Sequence, residues 1–233
     1  SVSKSFIFED FEPYINKAKA TFIQKYVGDL DIILDSIPSN DTASEIKENA
    51  RKLLASAIAN FGMFLYFPLL QIQLDSSGAS VPQNENRKSA EWCQIKDARR
   101  ELLRSGHEAM DLLLAYLEKN PSVFTDYTEN YSAINNELIV NNASDFSKYY
   151  NIFSSRQTFL ALMPTIRVVQ DQYINTMLCS ELVAELKKTS IGKLKELQET
   201  IQKAVVAFTV AKVCNNGLFL LDDRGLRLDF ETF

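Results

Sequence analysis

One histidine, three cysteines, six prolines and seven glycines stand in a chain of 233 residues, and each scarcity closes off a class of protein. A single imidazole, His107, cannot supply a His-based zinc site, a paired Glu-x-x-His di-iron site or a multi-histidine cage. Cys93, Cys179 and Cys214 are widely spaced and form no CxxC pair. Neither a disulfide framework nor a zinc cluster is expected of them, and they read as reduced core thiols. So few glycines and prolines disfavour an all-β sandwich, which needs frequent turns, and favour long helices with few connections. No Gly-rich phosphate loop, nucleophile elbow or dinucleotide fingerprint occurs. No run approaches the ~18 apolar residues of a membrane-spanning helix; Phe61 to Leu74 is the most apolar stretch, and Pro68 with two glutamines interrupts it. Lys4, Glu9 and Asp10 around Phe6 to Phe8 do not have the layout of a signal peptide. Asn40, Asn130 and Asn142 open Asn-x-Ser/Thr triplets, which matter only in a glycosylating compartment.

What is present is apolar material and a modest acidic excess. With 46% hydrophobic and 24% charged residues, the chain has enough for a real core and is not expected to be disordered. A net charge of -5 and a pI near 5.1 argue against a general phosphate-binding surface, because nucleic-acid affinity needs clustered Lys and Arg.

Apolar spacing predicts a helix over Thr21 to Ile37, buried through Phe22, Tyr26, Leu30, Ile33, Leu34 and Ile37. Pro38 to Asp41 ends it. A second helix, capped by Asp41 or Thr42, runs to about Tyr66, with Leu54, Ile58, Phe61 and Leu65 as its stripe and Ala50, Ala55, Ala57 and Ala59 allowing close approach. A small hairpin is expected over Gln71 to Val81, turning at Asp75 to Gly78, followed by a polar linker to Arg87. Trp92 to Leu117 reads as a helix of about thirty residues stopped by Asn120-Pro121. Ser122 to Asn142 shows no period and is expected to be an irregular connector, a candidate binding loop.

Beyond it, Asp145 or Ser144 caps a short helix over Phe146 to Tyr150. Arg156 to Lys188 carries a stripe through Phe159, Met163, Ile166, Val169, Tyr173, Met177 and Leu186, bent at Pro164. Ile191 to Cys214 is the last long helix, with Asn215-Asn216-Gly217 as its carboxy cap. Leu218 to Phe230 alternates around Asp222 to Gly225 as a second hairpin. An ungapped alignment matches Ala57 with Ala204, Phe61 with Phe208, Leu74 with Leu221, Asp75 with Asp222 and Gly78 with Gly225. Upstream, Asp10, Phe11 and Tyr14 recur as Asp145, Phe146 and Tyr149, and Thr21-Phe22 as Thr158-Phe159. The expected fold class is therefore mainly α: duplicated helix-helix-β-hairpin units packed as a helical bundle, with a long inserted helix and two small hairpins. The expected segments are 1–83, 84–142 and 143–233 within one compact structural domain.

No catalytic residue, cofactor or metal ligand is assigned. On one helix Cys93 stands about 21 Å from His107 at 1.5 Å per residue, too far to pair, so His107 reads as a polar or partly buried helix residue beside a helix irregularity at Gly106. Lys96, Arg99, Arg100 and Arg104 cluster, and they suit phosphate or an acidic partner. Asp97, Glu101 and Glu108 interleave with them, however, and solvated ion pairs are the first reading. Asp222, Asp223, Asp229 and Glu231 are accounted for by turn chemistry and a solvated strand face. Phe61, Phe64, Tyr66 and Phe67 read as core or a subunit interface. Leu226, Leu228 and Phe230 give the terminal hairpin one apolar face, and with Arg99, Arg100 and Arg104 they form the candidate interaction residues.

The stretch Ala143 to Tyr173, with Ser144-Asp145-Phe146, Ser155 to Leu162 and Pro164-Thr165-Ile166-Arg167, together with Asp223-Arg224-Gly225-Leu226, resembles an uncharacterised family of Bacteroidetes genomes and their prophages. Such proteins look like phage structural components of the head-tail junction. The resemblance implies a non-catalytic virion structural or assembly protein, a head-tail connector or neck component. Its partners would be copies of itself or neighbouring virion proteins, with no specific nucleic-acid recognition and no membrane. Its location would be cytoplasmic before assembly and the virion afterwards. The rival readings are a helical ligand-binding or regulatory module of a gut bacterium and an enzyme working through carboxylates alone.

Overall fold

The computed structural model describes residues 8–30, 34, 42–71, 73–75, 78–80, 91–129, 136–188, 192–214, 219–222 and 225–228. Internal contacts gather into two units, Ser1–Tyr127 and Thr128–Phe233.

In the first unit, α1 (Phe8–Ala18) passes into a π-helical turn (Lys19–Ile23) and then α2 (Gln24–Val27). The helix thus begins well before Thr21. It stops at Gly28, whose φ of 59° with ψ of -138° lies where a side chain would clash. The wider turn brings Ile23 and Val27 to the most buried positions, while Phe22 and Tyr26 of the expected stripe are half-buried. Leu30 and Leu34 are buried as expected; Ile33 and Ile37 lie outside the described residues.

α3 (Thr42–Tyr66) ends where its pattern does and buries Ala50, Leu54, Ala57 and Phe61, while Ile58 and Leu65 are half-buried and Ala55 and Ala59 exposed. α4 (Trp92–Lys119) starts from a capping box in which Glu91 and Gln94 satisfy each other's backbone amides. Its buried face is Leu103, His107, Met110, Leu113, Leu114 and Leu117. α1 and α4 both pack on α3, and two glycines set the closeness. A Cβ on Gly62 would lie 3.1 Å from the Phe11 ring, and one on Gly106 only 2.7 Å from Phe61. α4 is therefore part of the first unit's core and not an insert between units.

The first unit ends with α5 (Thr125–Tyr127). The second unit has an irregular run whose Leu138, Ile139 and Val140 are nearly inaccessible to solvent. The expected connector is thus partly core. α6 (Ala143–Tyr149) is capped by Asn142, whose Oδ1 accepts the Asp145 amide at 2.7 Å; the expected caps, Ser144 and Asp145, sit inside the helix. α7 (Arg156–Val169) starts from Ser155 and continues through Pro164 without a break. The break comes later, after a second π-helical turn (Gln170–Ile174). That turn again shifts the stripe by one residue: Ile174 is buried, Tyr173 and Met177 are exposed. α8 (Ser180–Leu186) and α9 (Lys193–Val213) follow, and α9 packs on α6, α7 and α8. The cap at 215–217 and the linker at 81–87 lie outside the described residues.

The mainly α expectation holds, and the rest of the expected fold class needs correction: among the described residues there is neither a sheet layer nor a helix inserted between the units. The strand pairing that is described amounts to two separate two-stranded ribbons, the second of which touches α7. Gln73–Asp75 pairs antiparallel with Gly78–Ser80, and Phe219–Asp222 with Gly225–Leu228. Both close in one register, Asp75 opposite Gly78 and Asp222 opposite Gly225. The upstream recurrence is also corrected, because Asp10 lies in α1 but Asp145 in the capped start of α6, and Thr21 in a π-turn but Thr158 in the first turn of α7. The elements correspond differently. Pro13-Tyr14-Ile15 in α1 and Pro164-Thr165-Ile166 in α7 precede their π-turns by the same spacing, and those turns end in the buried Ile23 and Ile174.

Candidate functional site

The arginines singled out on α4 do not converge on a common site. Arg104 donates to Glu101 at 2.8 Å and lies 3.6 Å from Glu108, on an exposed face. The Arg104 hydrogen bond holds the Glu101 carboxyl below its ordinary range. Such exposed pairs contribute little to stability. Arg99 turns the other way: its guanidinium lies over the Phe64 ring at 5.0 Å, and its Nε is buried without a hydrogen-bond partner in the structure. Arg100 is exposed. Of the hairpin residues, the side chains of Leu226 and Leu228 and the whole of Phe230 lie outside the described residues.

His107 belongs to the core. Phe61 stacks on Phe22 at 4.3 Å and 5°, and His107 meets both rings edge-on, at 5.0 Å and 6.3 Å. The aromatic residues expected as core or interface are therefore core at Phe61. Cys93, Cys179 and Cys214 are exposed, not core thiols. Cys93 lies in the first turn of α4, while Cys179 and Cys214 cap helix ends, positions that face water. Among the described residues, no group of three or more His, Cys, Asp or Glu could hold a metal ion, and no helix is long and apolar enough to cross a membrane.

Two features of the second unit escaped sequence reasoning. The first is a pair of buried glutamines. Gln170 Oε1 accepts the Ile139 amide at 2.8 Å, and its Nε2 donates to the Glu137 carbonyl at 3.2 Å. Gln202 Nε2 donates to the Ile139 carbonyl at 3.0 Å, while the Tyr149 hydroxyl donates to its Oε1 at 3.3 Å. Arg167 secures the segment from outside through Glu137 at 2.9 Å. These side chains satisfy the backbone that a strand partner would otherwise satisfy. The available signal was a glutamine inside each apolar stripe, Val169-Gln170 and Ile201-Gln202.

The second is an open face on α9. Phe208 is 47% exposed and stacks on Tyr173 at 4.8 Å and 21°; Leu197 is also exposed and Ala204 half-buried. The same helix buries Ile201, Val205, Val206, Thr209 and Val213 on its other side. This face departs from the rule that a helix hides its apolar surface, and it is the candidate site.

A model of a family of unknown function, DUF6712, matches residues 15–137, more than half of the chain. The chain belongs to the DUF6712 family. The DUF6712 match runs from Ile15, within α1, to Glu137. Neither a curated protein nor a solved structure matches the chain significantly.

Proposed function

We propose that this DUF6712 protein is a non-catalytic structural or assembly subunit of a phage or prophage virion, a head-tail connector or neck component that works through contacts with copies of itself and neighbouring virion proteins. The observation that carries the reading is the uncovered apolar face of α9, a surface suited to contact, together with the resemblance of residues 144–167. The acidic balance of the chain fits a surface that lies near DNA without adhering to it. The terminal hairpin, Leu218 to Phe230, is a second contact element in this reading, and the protein resides in the cytoplasm before assembly and in the virion after it.

Co-expression with the products of the adjacent genes tests this. Discrete high-mass complexes by light scattering, containing portal, capsid or tail proteins, are expected. Transporter or regulator genes as neighbours, and no complex with any of their products, would overturn it. Removing Gly225 to Phe233 is expected to lower the assembled mass with helicity retained.

A further inference from the structure

Arg99 carries a charge that the first unit does not answer. Its neighbour on α4, Arg104, is paired with Glu101 and Glu108. Arg99 is half-buried, with its guanidinium over the Phe64 ring of α3 at 5.0 Å. Its Nε is buried without a hydrogen-bond partner, and among the described residues no carboxylate pairs with it. A guanidinium stays ionised at any working pH, and one drawn out of water is ordinarily paired with an anion. Phe64 is a fixed platform, met edge-on by Phe22 at 6.4 Å and 81°. A ring face attracts the cation but accepts none of its five N–H groups in the way an anion does. With Nε enclosed, the terminal N–H groups are the edge left for a ligand.

We propose that Arg99 on its Phe64 platform binds a carboxylate of a protein partner, an aspartate or glutamate carried beside an apolar residue. The acid follows from the free edge of the guanidinium, which matches a carboxylate through two parallel N–H···O bonds. The apolar neighbour follows from where the site lies. Gly106 abuts Phe61, and Arg99, earlier in α4, reaches Phe64, later in α3. The two helices are thus antiparallel, and Arg99 lies towards the end of the pair where α3 gives way to Leu69 and Leu70, 38% and 47% exposed. A carboxylate with an apolar flank suits that combination of one cation and two exposed leucines. A nucleic-acid backbone does not, because phosphates in series need cations in series. Here Asp97, Glu101 and Glu108 interrupt the basic residues of α4, and Arg104 is already occupied. The site names what one contact of an assembly subunit recognises, and to that extent rests on the assembly reading.

The test uses the full chain at physiological salt and two short fluorescent peptides, one alternating leucine with glutamate and the other leucine with glutamine. Fluorescence polarisation is expected to show binding of the glutamate peptide only. Arg99→Met, which keeps an apolar stem over Phe64 and removes the charge, should weaken binding about ten-fold or more, the loss of a bidentate charged pair. Arg99→Lys, which keeps the charge without the two-pronged edge, should fall between, and Arg104→Met should bind as the wild type does. Circular dichroism checks that each variant is folded. Equal binding of the glutamine peptide, no binding at millimolar glutamate peptide, or equal losses in Arg99→Met and Arg104→Met would overturn the site. Tighter, Arg99-dependent binding of a single-stranded DNA oligonucleotide would overturn it as well. Any of these failures, with complexes still forming on co-expression with the neighbouring gene products, would remove the site and leave the assembly reading standing.

Discussion

Gly106 stands where a methyl group has no room. Alanine would ordinarily strengthen a helix interior by ~1 kcal/mol over glycine. At this position its Cβ would meet the Phe61 ring at 2.7 Å, and Phe61 cannot retreat because Phe22 stacks on its face and His107 on its edge. Gly106→Ala is therefore expected to destabilise by about 1 kcal/mol or more, whereas Gly62→Ala, with 3.1 Å to the tip of Phe11, should be close to neutral. Chemical denaturation of the two variants checks both signs. Gln170 has the opposite problem, a polar group that cannot be removed. Gln170→Leu leaves the Ile139 amide and the Glu137 carbonyl without that partner, at a cost of ~1–3 kcal/mol for each group left unsatisfied. The Ile139 amide should then exchange with deuterium faster than in the wild type.

Tyr26 gives a pH dependence. Burial first, and then the charge of Asp111, push its hydroxyl up to about 12. Its unfolded value is near 10. Because the folded state holds the proton more tightly, the contribution is fully present below pH 10 and is lost as pH rises to about 12. Absorbance titration at 295 nm should show a late-ionising tyrosine component that Tyr26→Phe reduces. Asp111→Asn should lower its pKa only in part, since burial is the larger cause.

At the scale of elements, the ends of α3, α4 and α9 and the buried faces of α3 and α4 are legible because their apolar spacing is regular and nothing interrupts it. The π-turns are not. Lys19–Ile23 and Gln170–Ile174 carry no residue type that announces them, yet each moves the most buried positions by one residue: Phe22 and Tyr26 are only half-buried, and Tyr173 and Met177 are exposed. Leu138 to Val140 was read as loop because its backbone is paired by glutamines distant in sequence. The turn before α7 was unreadable for the same reason. Phe153 and Ser154 both adopt left-handed backbone, φ 56° and 51°, held by Asn151 Oδ1 and Ser147 Oγ at 2.9 and 3.0 Å. A bulky exposed residue there costs ~1–2 kcal/mol. Phe153→Gly should leave the fold unharmed or slightly raise its melting temperature, and a marked loss in calorimetry would show that the ring has a structural role.

At the scale of the whole molecule, neither arginine cluster nor cysteine spacing nor the lone histidine marked the site. The open surface emerged only when one half of the chain could be read against the other. Composition had already confined the protein to helices, but the residues that distinguish the halves, Phe61 and Phe208, are identical in type and differ only in what covers them. The central claim is that the Tyr173–Phe208 face of α9 is open in the single chain and covered on assembly. Hydroxyl-radical footprinting over a dilution series addresses it most directly. Labelling of Tyr173, Leu197 and Phe208 should fall several-fold as concentration rises, while Phe153, exposed in the turn before α7, stays constant. Equal labelling of Phe208 at every concentration would contradict it.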